Sequence, residues 1–441
     1  MVIEVIRVEY KGQEVGAVSY DAETRVGHFE YEPKFRRTGI ELSPIHMPLS
    51  DRIYTFPGLD RETFKGLPGL LADSLPDDFG HAVLNAWVAK QGGVPADITP
   101  LQRLQYTGAR GMGALEFRPA ESIRGFKASQ EVDIEALVGI AQEILDSRAA
   151  FAVDLQGNGA EDRDAMQALL SVGTSAGGAR PKAVLAFNES FTSARSGQTD
   201  APEGYTHYLL KFDGVEEHRK ESQTFGDPKG FGALEYVYYL MARQCGISMM
   251  PCHLLPEGHR RHFITQRFDR RGNAKVHVQT LCAMAHASFK QVGRYSYEEV
   301  LQTMRQMRLP VADAMELLRR VVFNVIARNH DDHTKNFSFM MDPESNAWSL
   351  APAYDVAYSY KPGSHWVDQH AMSLNGKRDN FTRADLLSLV NTSSSTALKR
   401  GMRDAIDRTL EVVSNFTALA REHEVPDSII DMVALNLRLK L

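Results

Sequence analysis

Asp331 and Asn336 stand five positions apart in the run Ala327-Arg328-Asn329-His330-Asp331-Asp332-His333-Thr334-Lys335-Asn336. An acid and an amide at that separation suit phosphoryl transfer. The carboxylate can orient or accept a hydroxyl proton, and the amide oxygen can hold Mg²⁺ against phosphates. The run lies between an apolar helical stretch, Val321 to Ile326, and an apolar strand-like stretch, Phe337 to Met340, so its polar groups would stand on rigid supports. Asp355, in Leu350-Ala351-Pro352-Ala353-Tyr354-Asp355-Val356, offers a further acid suited to a second magnesium-binding position. No D-F-G sequence surrounds it. Two other readings fit the same residues: a helix cap running into a polar turn, and a metal-dependent hydrolase using His330, Asp331 and His333. The hydrolase reading lacks further His and Asp ligands at useful spacing.

A second run, Gly173-Thr174-Ser175-Ala176-Gly177-Gly178-Ala179-Arg180-Pro181-Lys182, could bring successive backbone amides close to a phosphate. It fits neither G-x-x-x-x-G-K-[ST] nor G-x-G-x-x-G, and a plain glycine turn accounts for it equally well. Lys211, flanked by apolar residues on an expected strand, can reach ATP phosphates, and Glu235 on the following helix could hold it by an ion pair. Alone, each also reads as an ordinary surface charge.

The elements that must position these groups follow from periodicity. Ile3 to Val18 reads as a hairpin, and Gly27 to Tyr31 as a further short strand. A helix is expected near Asp77 to Gln91, a glycine-marked turn into a strand over Gly108 to Phe117, and a connecting helix over 131–149. Ala183 to Phe187 and Thr206 to Phe212 read as paired strands, Phe231 to Cys245 as a helix, and His262 to Phe268 as a strand. Helices dominate from Ser296 onward. The expected architecture is α+β, a two-lobed protein-kinase-like fold with an N-terminal strand-rich subdomain and an all-helical C-terminal lobe. The expected divisions are 1–120, 121–295 and 296–441.

With 441 residues the chain is too long for one ordinary core. Its net charge of −6 argues against a surface coated for nucleic acid or an anionic membrane. Three irregularly spaced cysteines, Cys245, Cys252 and Cys282, form no C-x-x-C clip and suit a reducing cytoplasm. The start of the chain lacks the features of a signal peptide, and no apolar run approaches the ~20 residues of a membrane span.

Taken together the motifs resemble the HipA family, kinase toxins of bacterial toxin–antitoxin systems. Val15-Gly16, Phe29-Glu30-Tyr31, Leu75-Pro76-Asp77 and Gly113-Ala114-Leu115 carry the N-terminal part of the likeness. Ser175 to Lys182, Arg267-Phe268-Asp269-Arg270, Asn329 to Asn336 and Tyr354-Asp355 carry the C-terminal part. The resemblance implies a serine/threonine protein kinase using ATP and Mg²⁺. In that scheme Asp331 is the catalytic base, Asn336 and Asp355 are the magnesium ligands, and His333 stands near the nucleotide. Ser175, Gly177, Gly178, Lys182, Lys211, Gln266, Phe268 and Tyr354 would contact ATP, with Gln266 and Phe268 at a hinge whose backbone meets adenine. Ser175 would also be phosphorylated by the kinase itself, adding about −1.5 to −2 charge beside the phosphate site.

Family members phosphorylate translation components such as aminoacyl-tRNA synthetases, the glutamyl enzyme among them. They pair with a helix-turn-helix antitoxin of HipB type, through which operator DNA would be reached. A catalytically weak corepressor is the alternative. The chain departs from relatives at Arg180-Pro181, at Gln266, at Val276 to Thr280, and at Asp332, where Gly is usual.

Overall fold

Alternation of apolar and polar residues decides the first sheet. In Val5–Tyr10 the side chains of Ile6, Val8 and Tyr10 are buried while their neighbours face outward. The computed structural model describes residues 5–90, 92–119, 132–147, 181–216, 226–227 and 229–441. Within them, Tyr54–Thr55, Val26–Tyr31, Gln13–Asp21, Val5–Tyr10 and Leu115–Arg118 lie side by side in that order, antiparallel throughout. Phe29, Tyr31, Phe35, Phe64 and Phe117 fill one core beneath this sheet.

A second antiparallel sheet is ordered Cys252–Glu257, Arg260–Gln266, Tyr205–Lys211, Lys182–Asn188, Ala194–Ser196. Its second core joins Leu185, Phe187, Leu210 and Ile264 to Phe79, Val83 and Trp87 of the Asp78–Lys90 helix and to Leu137 of the Ile134–Ser147 helix. Packing therefore crosses residue 120, the first expected division: a helix from before it covers a sheet from after it. Packing also crosses 295, because His277–Thr280 pairs with Ser338–Met341 and then Trp348–Leu350 in a third sheet. The C-terminal lobe is accordingly helical apart from these two short strands.

The Val311–Ala327 helix is apolar nearly all round over its second half, and Leu317, Val321, Val322, Phe323, Val325 and Ile326 are all buried. Such a helix has to run through the middle of its lobe. It ends where Arg328 turns to a left-handed conformation (φ 59°), which releases the chain into the polar run from Asn329 to Asn336. Arg328 and Arg438 both bind Asp379, at 3.0 and 2.8 Å, and fix that exit point.

Candidate active site

Lys211 is the last residue of the Tyr205–Lys211 strand, and Glu235 lies in the second turn of the Phe231–Gln244 helix. The helix reaches the sheet because Gly232 has no side chain: a Cβ there would lie 2.1 Å from the Arg261 carbonyl oxygen. Its start is fixed by Asp213, which accepts the amides of Gly230 at 2.8 Å and Gly232 at 3.2 Å. Leu234, Val237, Tyr238 and Met241 anchor it in the C-terminal core, and the Tyr238 hydroxyl donates to the Ala327 carbonyl at 2.6 Å. The result is a buried ion pair, Lys211 Nζ to Glu235 Oε1 at 2.5 Å, with Asp355 Oδ1 on the other side of the same ammonium at 2.6 Å. Asp355 takes a left-handed backbone (φ 52°), uncommon for an aspartate and concentrated at functional sites.

These three residues line an open cleft of about 1160 Å³, solvent at its mouth included, whose walls also include Gln266, Phe268, Asn336 and Tyr354. The Phe268 and Tyr354 rings stack at 5.6 Å with planes 28° apart. Tyr354 is locked by its hydroxyl, which donates to the Lys335 carbonyl at 2.7 Å and also meets the Ser338 hydroxyl. Burial raises its phenol well above the ordinary value, so it stays neutral. On the hinge, the Gln266 amide is committed to the Pro251 carbonyl and the Arg267 amide to that of His207, both at 2.9 Å.

Of the polar run from Asn329 to Asn336, Lys335 and Asn336 reach the same cleft. Asn336 Nδ2 donates to the Asp331 carbonyl at 2.6 Å, which turns its amide oxygen away from that bond, and Asn336 and Asp355 line the cleft together. Asp331 and His333 are not among the lining residues. His333 Nε2 lies 3.6 Å from Asp331 Oδ1, and the Asp331 side chain is 43 % exposed. Lys182 is not itself among the residues lining the cleft; its buried ammonium lies 3.3 Å from Oδ2 of Asp77, which does line it. Ser175, Gly177 and Gly178 lie outside the described residues.

Four groups that the sequence reading left out of the site complete it. Asp213 sets the helix carrying Glu235. Asp73 and Asp77, from the N-terminal region, form part of the cleft wall. Asp73 accepts the Thr280 amide at 2.6 Å and hydroxyl at 2.7 Å, and burial raises both carboxyls above their ordinary range. Asp332, the departure from glycine, is wholly buried. Its Oδ2 accepts the Tyr297 hydroxyl at 2.5 Å and His370 Nδ1 at 2.7 Å, and its Oδ1 accepts the Ala371 amide at 2.7 Å. Burial pushes the Asp332 carboxyl up, but His370 and these bonds outweigh it and hold it below the ordinary carboxylate value. Asp332 thereby bolts the loop to the Tyr297–Gln306 helix and to the segment at 370–371, one residue from Asp331.

Residues 174–416 match the family model for the HipA-like C-terminal domain, and residues 6–118 match that for the HipA N-terminal domain. The chain belongs to the HipA family. Among curated HipA-related proteins, it is 23 % identical over 222 residues to the "Serine/threonine-protein kinase toxin HipA" of Shewanella oneidensis, spanning 46 % of this chain and 48 % of that protein. It is 26 % identical over 205 residues to "Putative kinase Y4dM" of Sinorhizobium fredii, spanning 42 % and 47 %. The chain thus spans about half the length of each of these curated relatives. A solved HipA from Shewanella oneidensis, in complex with HipB and operator DNA, superposes with a TM-score of 0.65 at 18 % identity. The superposition covers 98 % of this chain and 95 % of that one, so the described residues share the HipA fold.

Proposed function

We propose that this HipA-family chain transfers the γ-phosphoryl group of ATP to a serine or threonine hydroxyl of a protein. The observation that carries the proposal is the placement of Lys211, Glu235, Asp355 and Asn336 around one cleft, with Asn336 bonded to the carbonyl of Asp331. The stacked Phe268 and Tyr354 rings offer a flat apolar edge for adenine, and the Phe268 backbone offers it a hydrogen-bonding group. Lys211, held in place by Glu235, would meet the phosphates.

Asn336 and Asp355 present hard oxygen donors on the same wall, which fits Mg²⁺, and none of the described His, Cys, Asp and Glu residues forms a denser metal cluster. Bound there, the ion would neutralise charge on the β- and γ-phosphates. Asp355 would hold the ion beside Lys211, which Glu235 keeps in place. Asp331 would orient the incoming hydroxyl and take up its proton as the oxygen–γ-phosphorus bond forms and the bond to the β–γ bridging oxygen breaks, releasing ADP. Positioning and electrostatics supply most of the acceleration in such a site.

Family membership supports the finer reading. The chain would act as a toxin restrained by a HipB-type helix-turn-helix antitoxin, reaching operator DNA through it; a solved relative forms a complex with HipB and operator DNA. Its substrate would be a translation component such as an aminoacyl-tRNA synthetase, with the glutamyl enzyme the first to try. Ser175 would be a self-phosphorylation site, and the protein would work in the cytoplasm. Among the described residues no helix is long and apolar enough to cross a membrane. The test is incubation with Mg²⁺ and γ-labelled ATP followed by phosphosite mapping. Label on Ser175 and on a glutamyl-tRNA synthetase supports the full reading. Label on neither, together with no ATP binding by calorimetry, refutes the enzymatic one and favours a corepressor.

A further inference from the structure

Lys335 lines the cleft, and three further cations, Lys65, Lys290 and Arg103, act with it on one neighbour, His81; among the described residues none of the four has an ion pair with a carboxylate. Thr63 Oγ1 and Asp60 Oδ2 meet the Ser288 hydroxyl at 2.7 and 2.8 Å, which draws the Arg61–Phe64 helix, and Lys65 just behind it, against Phe289-Lys290. The Phe289 ring then serves as a common platform. Lys335 Nζ lies 4.9 Å and Lys290 Nζ 5.9 Å from its centroid, and His333 packs on it at 5.3 Å. His333 in turn stands 3.6 Å from Asp331, so this cationic ground begins one side chain away from that acid.

Arg103 adds the fourth charge. Its half-buried guanidinium donates only to neutral acceptors: His81 Nδ1 at 3.0 Å, Asn85 Oδ1 at 3.1 Å and the Pro95 carbonyl at 3.4 Å. A guanidinium taken partly out of water without a counter-ion is costly unless an anion arrives. His81 lies where all four fields meet: burial first, then Arg103, Lys65, Lys335 and Lys290, push its imidazole down to about 3. The acids in reach do not cancel this ground. Asp78 and Glu62 act on Lys65, and Asp73 and Lys335 feel each other's charge, yet burial first, then Lys290, still hold the Lys65 ammonium below its ordinary value.

We propose that Lys65, Arg103, Lys290 and Lys335 form a docking site for an acidic peptide segment flanking the hydroxyl to be phosphorylated. The site spans two parts of the fold, so it selects substrate only when the N-terminal region is seated on the catalytic lobe. A polynucleotide fits less well. The ground is confined to one rim of a chain with net charge −6, whereas a nucleic-acid backbone needs an extended basic track. The inference rests on the phosphotransfer reading for its position, not for the binding itself.

The test reads binding directly. Two fluorescent serine-centred peptides, one flanked by aspartates and one by alanines, are titrated with the full chain and ADP at about 0.05 M and 0.5 M salt. The acidic peptide is expected to bind about tenfold more tightly at low salt, with the gap closing at high salt, as for a few screened charge pairs. Lys65→Glu with Lys290→Glu should abolish the preference while ATP affinity and the melting temperature stay unchanged. The milder Lys65→Ala with Lys290→Ala should halve it or more if the reversal fails to fold. Equal binding of the two peptides, or a preference that survives both double variants, overturns the proposal. So does tighter binding of a single-stranded RNA oligonucleotide lost in the same variants, which reassigns the rim to nucleic acid. An acidic preference in a protein that transfers no phosphate leaves the docking site standing and sinks the kinase reading alone.

Discussion

Glu235 holds the Lys211 ammonium at 2.5 Å inside the protein, where neither side chain is more than 6 % exposed. Two such charges survive burial only as a pair. Removing one leaves the other desolvated, at a cost of roughly 3–5 kcal/mol. Lys211→Met should therefore lower stability measurably in urea unfolding and cut phosphotransfer about a hundred- to a thousandfold, the range for loss of one preorganised charge. Glu235→Gln keeps a hydrogen-bond acceptor and should cost less on both counts. Equal transfer rates for Lys211→Met and the parent would remove Lys211 from the phosphate site.

Asp332 gives a pH signature. Its carboxyl is held below its ordinary value in the folded protein, so it binds fewer protons there than in the unfolded chain. The stability it contributes is complete above the unfolded value near 3.8 and is lost as pH falls further through the folded value. Asp332→Asn lacks that contribution at every pH. The difference in unfolding free energy between parent and variant should thus narrow as pH falls below about 4. Because Asp332 anchors the residue beside Asp331, the variant should lose kcat with little change in the KM for ATP. Tyr297→Phe, which deletes one of the three bonds, should show the same pattern more weakly, by about 1–3 kcal/mol in stability.

Gly232 tests whether the helix position matters to chemistry. A methyl group there meets the Arg261 carbonyl and must push the helix from the sheet, widening the Glu235–Lys211 pair. Gly232→Ala is expected to raise the KM for ATP and lower kcat together, although Ala favours helix elsewhere. An unchanged KM would mean that the pair does not depend on this approach.

Asp269 joins the lobes electrostatically. It accepts Arg267 Nη2 and Arg270 Nη1 at 2.7 Å each, and the Gly113 amide of the N-terminal region at 2.8 Å. Burial opposes its charge, but the two guanidinium groups hold its carboxyl far below the ordinary range. Asp269→Asn strands two buried cations and should destabilise the fold by roughly 3–5 kcal/mol. Limited proteolysis should show earlier release of the N-terminal region.

Local patterns made the elements legible. Alternation marked the strands ending at Tyr10 and Lys211, and helical spacing marked Phe231 to Gln244 to within a residue of its observed end. The gathering of Lys211, Glu235, Asn336 and Asp355 followed from motif order. What sequence could not convey was partnership over distance. Lys182 carries a charge suited to phosphate, yet Asp77, 105 positions earlier, claims it. Asp332 read as a lost glycine because its partners Tyr297 and His370 lie 35 and 38 positions away. The Asp78–Lys90 helix was visible, but not that it would cover the second sheet, since its apolar residues do not say which sheet they meet.

The most direct test of the account is phosphotransfer by Asp331→Asn. Asp331 is 43 % exposed, so the exchange should leave the fold and ATP binding intact. The purified parent with Mg²⁺ and γ-labelled ATP should transfer label to a serine or threonine, and the variant should bind ATP equally and transfer none above background. Transfer at the parent rate by Asp331→Asn would contradict the assignment of Asp331 as the group that receives the hydroxyl proton, and with it the mechanism built on this cleft.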